Sequence, residues 1–124
     1  MQVVVAVALG GAVGSVLRFL ISKSVQSKAG IEFPVGTLLV NIVGAFLIGL
    51  AFSYLVERLS LSPEARALLI TGFLGGLTTF STFSYEGVNL LMDGEVLKFF
   101  LYVGGTNVIG LSMTLLGYNL GRLI

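Results

Sequence analysis

The chain has 124 residues, 56% of them hydrophobic and 10% charged, with a mean hydropathy of +1.03. A soluble domain carries about a quarter charged residues, so there is too little charge here to coat a globule and hydrocarbon has to cover the outside. With no cysteine, no histidine and a net charge of +1, disulfides, thiolate metal sites and histidine base catalysis drop out, and nucleic acid is not an expected partner.

A spanning helix needs about 20 mostly apolar residues. The first such stretch covers residues 3–22. No basic region or cleavage site precedes it, so it reads as a retained helix and not as a signal peptide. Ala6, Gly10 and Gly14 recur every fourth position and make a close-packing face. Arg18 is the only ionisable residue of this stretch. It is positioned to snorkel to the interface or to draw anions into a vestibule.

A polar connection, 23–33, leads to Pro34 and a second helix over 35–56. Ala45, Gly49 and Ser53 repeat the small-residue spacing. Thr37 and Asn41 share one face, and an amide in hydrocarbon most often bonds a neighbouring helix.

The third helix has a start signal in Ser62, Pro63 and Glu64. It is expected over 65–92, where a straight helix would reach about 42 Å against a core of about 30 Å. Its middle reads Gly72-Phe73-Leu74-Gly75-Gly76-Leu77-Thr78-Thr79, rich in poor helix formers. Two half-helices with a break near 75–79 are predicted, in the style that transporters use to hold ions. A kinked, tilted helix packed through its glycines is the other reading.

After the break, Phe80 and Phe83 lie on one helix face among the hydroxyls of Thr79, Ser81, Thr82 and Ser84. A phenyl ring has a positive edge, which lines an anion path without fixed charge. Glu86 follows, and carboxylates inside a membrane are functional by default.

A turn at 93–95 opens the fourth helix, expected over 97–120. Tyr102, Thr106, Gly110 and Thr114 recur every fourth residue as one polar stripe, with Asn107 and Ser112 off it. A wet track is one reading. Hydroxyls that bond their own backbone are the other.

Charge gives no orientation. Arg58, Arg66 and Arg122 fall on one side, and Lys23, Lys28 and Lys98 on the other. The positive-inside rule is balanced. That balance permits insertion both ways, and with it an antiparallel dimer that rebuilds an inverted repeat; a single orientation set by some factor other than charge is the other reading. The chain therefore reads as an all-α membrane protein of four spans. It carries a narrow path of neutral donors and aromatic edges, suited to a small hydrated anion. No nucleophile stands beside a base, so an enzyme is not expected.

Three signatures match a family. They are Gly10-Gly11-Ala12-Val13-Gly14-Ser15-Val16-Leu17-Arg18, Gly36-Thr37-Leu38-Leu39-Val40-Asn41-Ile42-Val43-Gly44, and the run from Gly72 to Glu86. Together, in this order, they resemble the Fluc fluoride channels, also called CrcB proteins. The resemblance implies an antiparallel, dual-topology homodimer in a bacterial inner membrane, with two pores and passive, selective fluoride export. It implies that Phe80 and Phe83 line the ion path, that Asn41 is its amide donor, and that Arg18 stands near the vestibule. It implies that Gly75 and Thr78 offer backbone carbonyls to a structural sodium ion at the dimer interface. Ser81, Thr82, Tyr102, Thr106 and Thr114 belong by the same resemblance to the polar lining.

Two rival readings remain. A small dual-topology multidrug/proton antiporter needs a carboxylate deep in the first helix, and that helix has none. A non-transporting subunit of a larger assembly explains the glycine faces but not the hydroxyl-rich third helix.

Overall fold

The computed structural model describes residues 1–124 and is helical throughout. Helix α1 spans Gln2–Ala29. Helix α2 spans Val35–Arg58, and its last two turns, Ala51–Arg58, are wound as a π-helix. Helix α3 covers 63–77, with Ala67–Leu74 again π-wound. Helix α4 spans Phe80–Met92 and α5 spans Val96–Leu123. Four segments, with α3 and α4 counted as one, are long and apolar enough to cross a membrane.

The first helix runs seven residues beyond its expected end at 22. The polar run from Lys23 to Lys28 marks where the helix leaves hydrocarbon, not where it stops. It contains no breaker until Gly30, which closes the helix at φ 61°. Gln26, on this outer turn, bridges to the next element. Its Nε2 donates to the carbonyls of Ile31 and Phe33 at 2.9 Å each, and its Oε1 accepts from Gly36 N at 3.1 Å. The first connection is therefore 30–34 and not 23–33.

The third span begins at Pro63, where Ser62 Oγ accepts from Ala65 N at 3.2 Å. Its break is narrower than 75–79. Gly75 and Gly76 remain helical, and only Thr78 (φ −95°, ψ 157°) and Thr79 (φ −150°, ψ 121°) are extended. Glycine is a poor helix former but still fits a helix when packing demands it. Threonine is β-branched and takes extended backbone readily.

Two crossings hold the bundle. A Cβ on Gly10 would meet Leu68 O and Phe73 N, and one on Gly14 would meet Phe73 O and Leu77 N. Backbone thus lies on backbone where α1 crosses α3. Helices α2 and α5 cross the same way, with Gly49 against Thr114 O and Gly117 against Phe46 O. Such contacts replace the hydrophobic drive that lipid cannot supply. One apolar core, Ala51, Leu74 and Leu77, lies between α2 and α3. A second, Phe83, Leu90 and Tyr102, lies between α4 and α5.

Candidate functional site

The break brings together two unlike helix ends near mid-span. Helix α3 ends in carbonyls, the negative end of its dipole, and α4 begins in N–H groups, the positive end. Inside a bilayer such ends are tolerated only where protein or a polar cavity satisfies them.

Asn41 of α2 joins them. Its Oδ1 accepts from Thr79 N at 2.8 Å, and its Nδ2 donates to Thr79 O at 3.1 Å. The amide imitates a peptide group and replaces hydrogen bonds that the helix loses at the break. One Nδ2 hydrogen remains free. Thr78 turns inward, and its hydroxyl donates to Leu74 O at 3.0 Å. Its methyl fills the space over Gly44, where a Cβ would collide with it.

Thr79 is the N-cap of α4. Its Oγ1 accepts from Thr82 N at 3.2 Å. The same oxygen donates to Thr82 Oγ1 at 3.2 Å and meets Ser81 Oγ at 3.2 Å. Ser81 and Thr82 are thus gathered around the cap. The N–H groups of Phe80 and Ser81 take no partner within the chain. Free N–H groups at a helix start make an anion site by geometry and dipole.

On the α3 side, Gly76 O accepts from Arg18 Nε at 2.9 Å. The carbonyls of Gly75 and Thr78 accept no hydrogen bond within the chain. Unpaired carbonyl oxygens in a membrane are what a hard monovalent cation requires. The expected sodium ligands therefore fit the group on chemistry.

These ends open into a cavity of about 460 Å³ between α2, α3, α4 and α5. Of the residues expected to form the site, Asn41, Gly75, Thr78, Phe80, Phe83, Thr106 and Thr114 all line it. Phe83 is nearly buried and Phe80 is 78% exposed on the open side, with ring centres 5.8 Å apart. Thr106 Oγ1 is the one buried side-chain polar atom in the chain without a hydrogen-bond partner. Thr114 is committed instead, donating to Ala45 O at 2.8 Å.

Tyr102, Arg18, Ser81 and Thr82 are not on that lining. Tyr102 is fully buried behind Phe83, its ring centre 5.1 Å away, and its hydroxyl donates to Glu86 Oε1 at 3.1 Å. Arg18 lies against the break, where its Nε donates to Gly76 O. A second hollow of about 730 Å³ is bordered by Gln26, Glu32, Glu86, Asp93 and Glu95. Thr71, Thr79 and Asn107 also line the inner cavity. Thr71 lies one residue before the glycine run, and only the helix winding carries it to the cavity.

A sequence model of the family described as CrcB-like protein, Camphor Resistance (CrcB), matches residues 5–118. The chain belongs to the CrcB family. Among CrcB relatives, a protein of Aquifex aeolicus is 67% identical over 122 residues, 98% of both chains. One from Hydrogenobaculum sp. is 51% identical, covering 96% of this chain and 97% of its own. One from Thermus thermophilus is 51% identical, covering 93% and 91%. Each bears the name Fluoride-specific ion channel FluC. This CrcB chain is accordingly a multi-pass membrane protein of a channel family, and not an enzyme.

Proposed function

We propose that the chain is a passive, fluoride-selective channel that exports fluoride across a bacterial inner membrane and so relieves its toxicity. The names borne by its relatives support fluoride as the cargo. The observation that carries the reading is the inner cavity. In one place it holds the ring pair Phe80 and Phe83, a spare Asn41 hydrogen and the orphaned Thr106 hydroxyl. Fluoride exchanges its water shell for such donors. With no lysine or arginine among the lining residues, nothing holds the ion too tightly to leave.

The working unit is an antiparallel homodimer with two paths along the interface. Phe80 stands exposed on the open side of the cavity, with exposed Ser81 beside it in sequence, where a partner would cover them. Gly104, Gly105 and Gly110 of α5 likewise meet nothing within the chain. Glycine inside a helix costs about 1 kcal/mol against alanine, and a close partner backbone gives it a use. The two-fold axis brings Gly75 and Thr78 of both chains together around one sodium ion, which supplies a positive centre between the α3 ends. Tyr102 backs Phe83, and Ser81 and Thr82 set the start of α4.

The drug–proton exchanger has no support, because α1 carries no carboxylate. Ion efflux from liposomes tests the proposal, read by fluoride and then chloride electrodes with an ionophore to balance charge. Rapid fluoride loss without chloride loss is expected. Folded dimer that releases no fluoride would discard the function.

A further inference from the structure

Arg18 is a charge inside a membrane span with no carboxylate near it; the chain's single salt bridge is Lys98 with Glu95, on the outer turn of α5. An unpaired arginine there is costly, and such residues normally find carboxylates, carbonyls or water. Arg18 finds a carbonyl 58 residues away in the chain. Its Nε–H donates to Gly76 O at 2.9 Å, on a partly buried path. The contact is built and not incidental. A Cβ on Gly76 would come within 2.7 Å of Gly11 O and 3.1 Å of Ser15 N. Only glycine lets α3 lie this close to α1, and Arg18 follows Ser15 by one helical turn on the same face.

The position of the bond matters as much as its length. Gly76 is one of the last residues of α3, where carbonyls lose their helical partners and the dipole is negative. A cation is the natural cap for that end. Leu74 O is already taken twice, by Thr78 N at 3.1 Å and Thr78 Oγ1 at 3.0 Å. Gly76 O is taken by Arg18. Gly75 O and Thr78 O are left over, and both residues line the inner cavity.

We propose that Arg18 is a positioning residue: it caps the C-terminal end of α3 through Gly76, fixing the break so that the Gly75 and Thr78 carbonyls face a cation. It acts through the backbone, and it does not serve as a collector of anions at a mouth. This rests on the cation site proposed above only for the identity of what Gly75 and Thr78 face. The capping itself stands apart from it.

The test compares the full chain with Arg18→Gln, which removes the charge, and Arg18→Lys, which keeps charge but loses the planar fork. Three quantities are read. One is amide hydrogen exchange of the purified protein at residues 76–82. Another is the melting temperature in sodium chloride against N-methylglucamine chloride. The third is fluoride efflux from liposomes at low and high ionic strength. In Arg18→Gln, exchange at the break should quicken about tenfold as local opening grows easier. The sodium needed to raise the melting temperature should rise by about tenfold. Efflux should fall by the same factor at both ionic strengths, because a group tied inside the span is little screened. Arg18→Lys should fall between, and it decides the matter if Arg18→Gln does not fold. Unchanged exchange at the break, with efflux lost only at low ionic strength, would overturn the proposal and make Arg18 a steering charge. A parent protein indifferent to sodium would sink the cation site instead, and the exchange data would still decide on Arg18.

Discussion

The two halves of the third span differ in how they are held. Helix α3 lies with its backbone against α1, through Gly10, Gly14 and Gly76, and Arg18 ties down its end. Helix α4 leans on α5 through Phe83, Leu90 and Tyr102, touches α2 lightly, and leaves Phe80 and Ser81 uncovered. One half is a fixed wall and the other presents chemistry. The break at Thr78 and Thr79 lets one span do both. A continuous helix would have spent its mid-membrane N–H and C=O groups on itself.

The largest effect should come from attacking the fixed wall. Gly14→Leu drives a side chain into Phe73 O and Leu77 N. Overpacking of this kind typically costs about 1–3 kcal/mol, and the upper end or beyond is expected where backbone cannot move. Size-exclusion chromatography should show little monodisperse protein. Gly105→Ala, where a Cβ meets nothing within the chain, should leave the fold of each chain intact and at most loosen its pairing with a partner. If both behave alike, the contrast between the walls is wrong.

The next effect strikes the open half. Phe80→Ile and Phe83→Ile keep apolar bulk and remove the ring edge. Each should slow fluoride efflux by about fivefold, the size of a lost ring interaction of about 1 kcal/mol at the barrier. The dimer should survive. Unchanged efflux in both variants would end the aromatic-path idea.

Thr106→Val should produce an unusual pair of changes. Its hydroxyl is buried without a partner, so removing it should stabilise the protein by about 1 kcal/mol. Efflux should nevertheless fall several-fold, because the path loses a donor. A variant both less stable and fully active would show that the hydroxyl has a hidden structural bond.

The smallest effect is expected at Thr114→Val. That hydroxyl donates to Ala45 O across the α2–α5 crossing. Bonds of this kind inside membranes contribute about 0.6 kcal/mol. A small fall in melting temperature with near-normal efflux should result. A collapse of efflux would return Thr114 to the ion path.

Most of the architecture was legible in the chain because bilayer thickness is a fixed ruler. Stretches of about 20 apolar residues gave the spans, and an overlong third stretch gave the break. The end of α1 was not legible, since a polar run marks the edge of hydrocarbon and not the end of a helix. The width of the break was not legible either. Gly75 and Gly76 look like breakers in sequence, but both stay helical, and Gly76 lies directly against α1 where the two helices cross.

By itself the sequence determined the membrane class, the number of spans and the residue types of the site, since composition and period follow from the solvent a segment must face. The tertiary structure alone decided how those residues are used. Asn41 spends most of its amide on Thr79, Thr114 spends its proton on Ala45, Tyr102 hides behind Phe83, and Thr106 keeps a free hydroxyl. Hydrogen-bond capacity is finite, and which partner claims it depends on distances across helices that spacing along one helix does not contain.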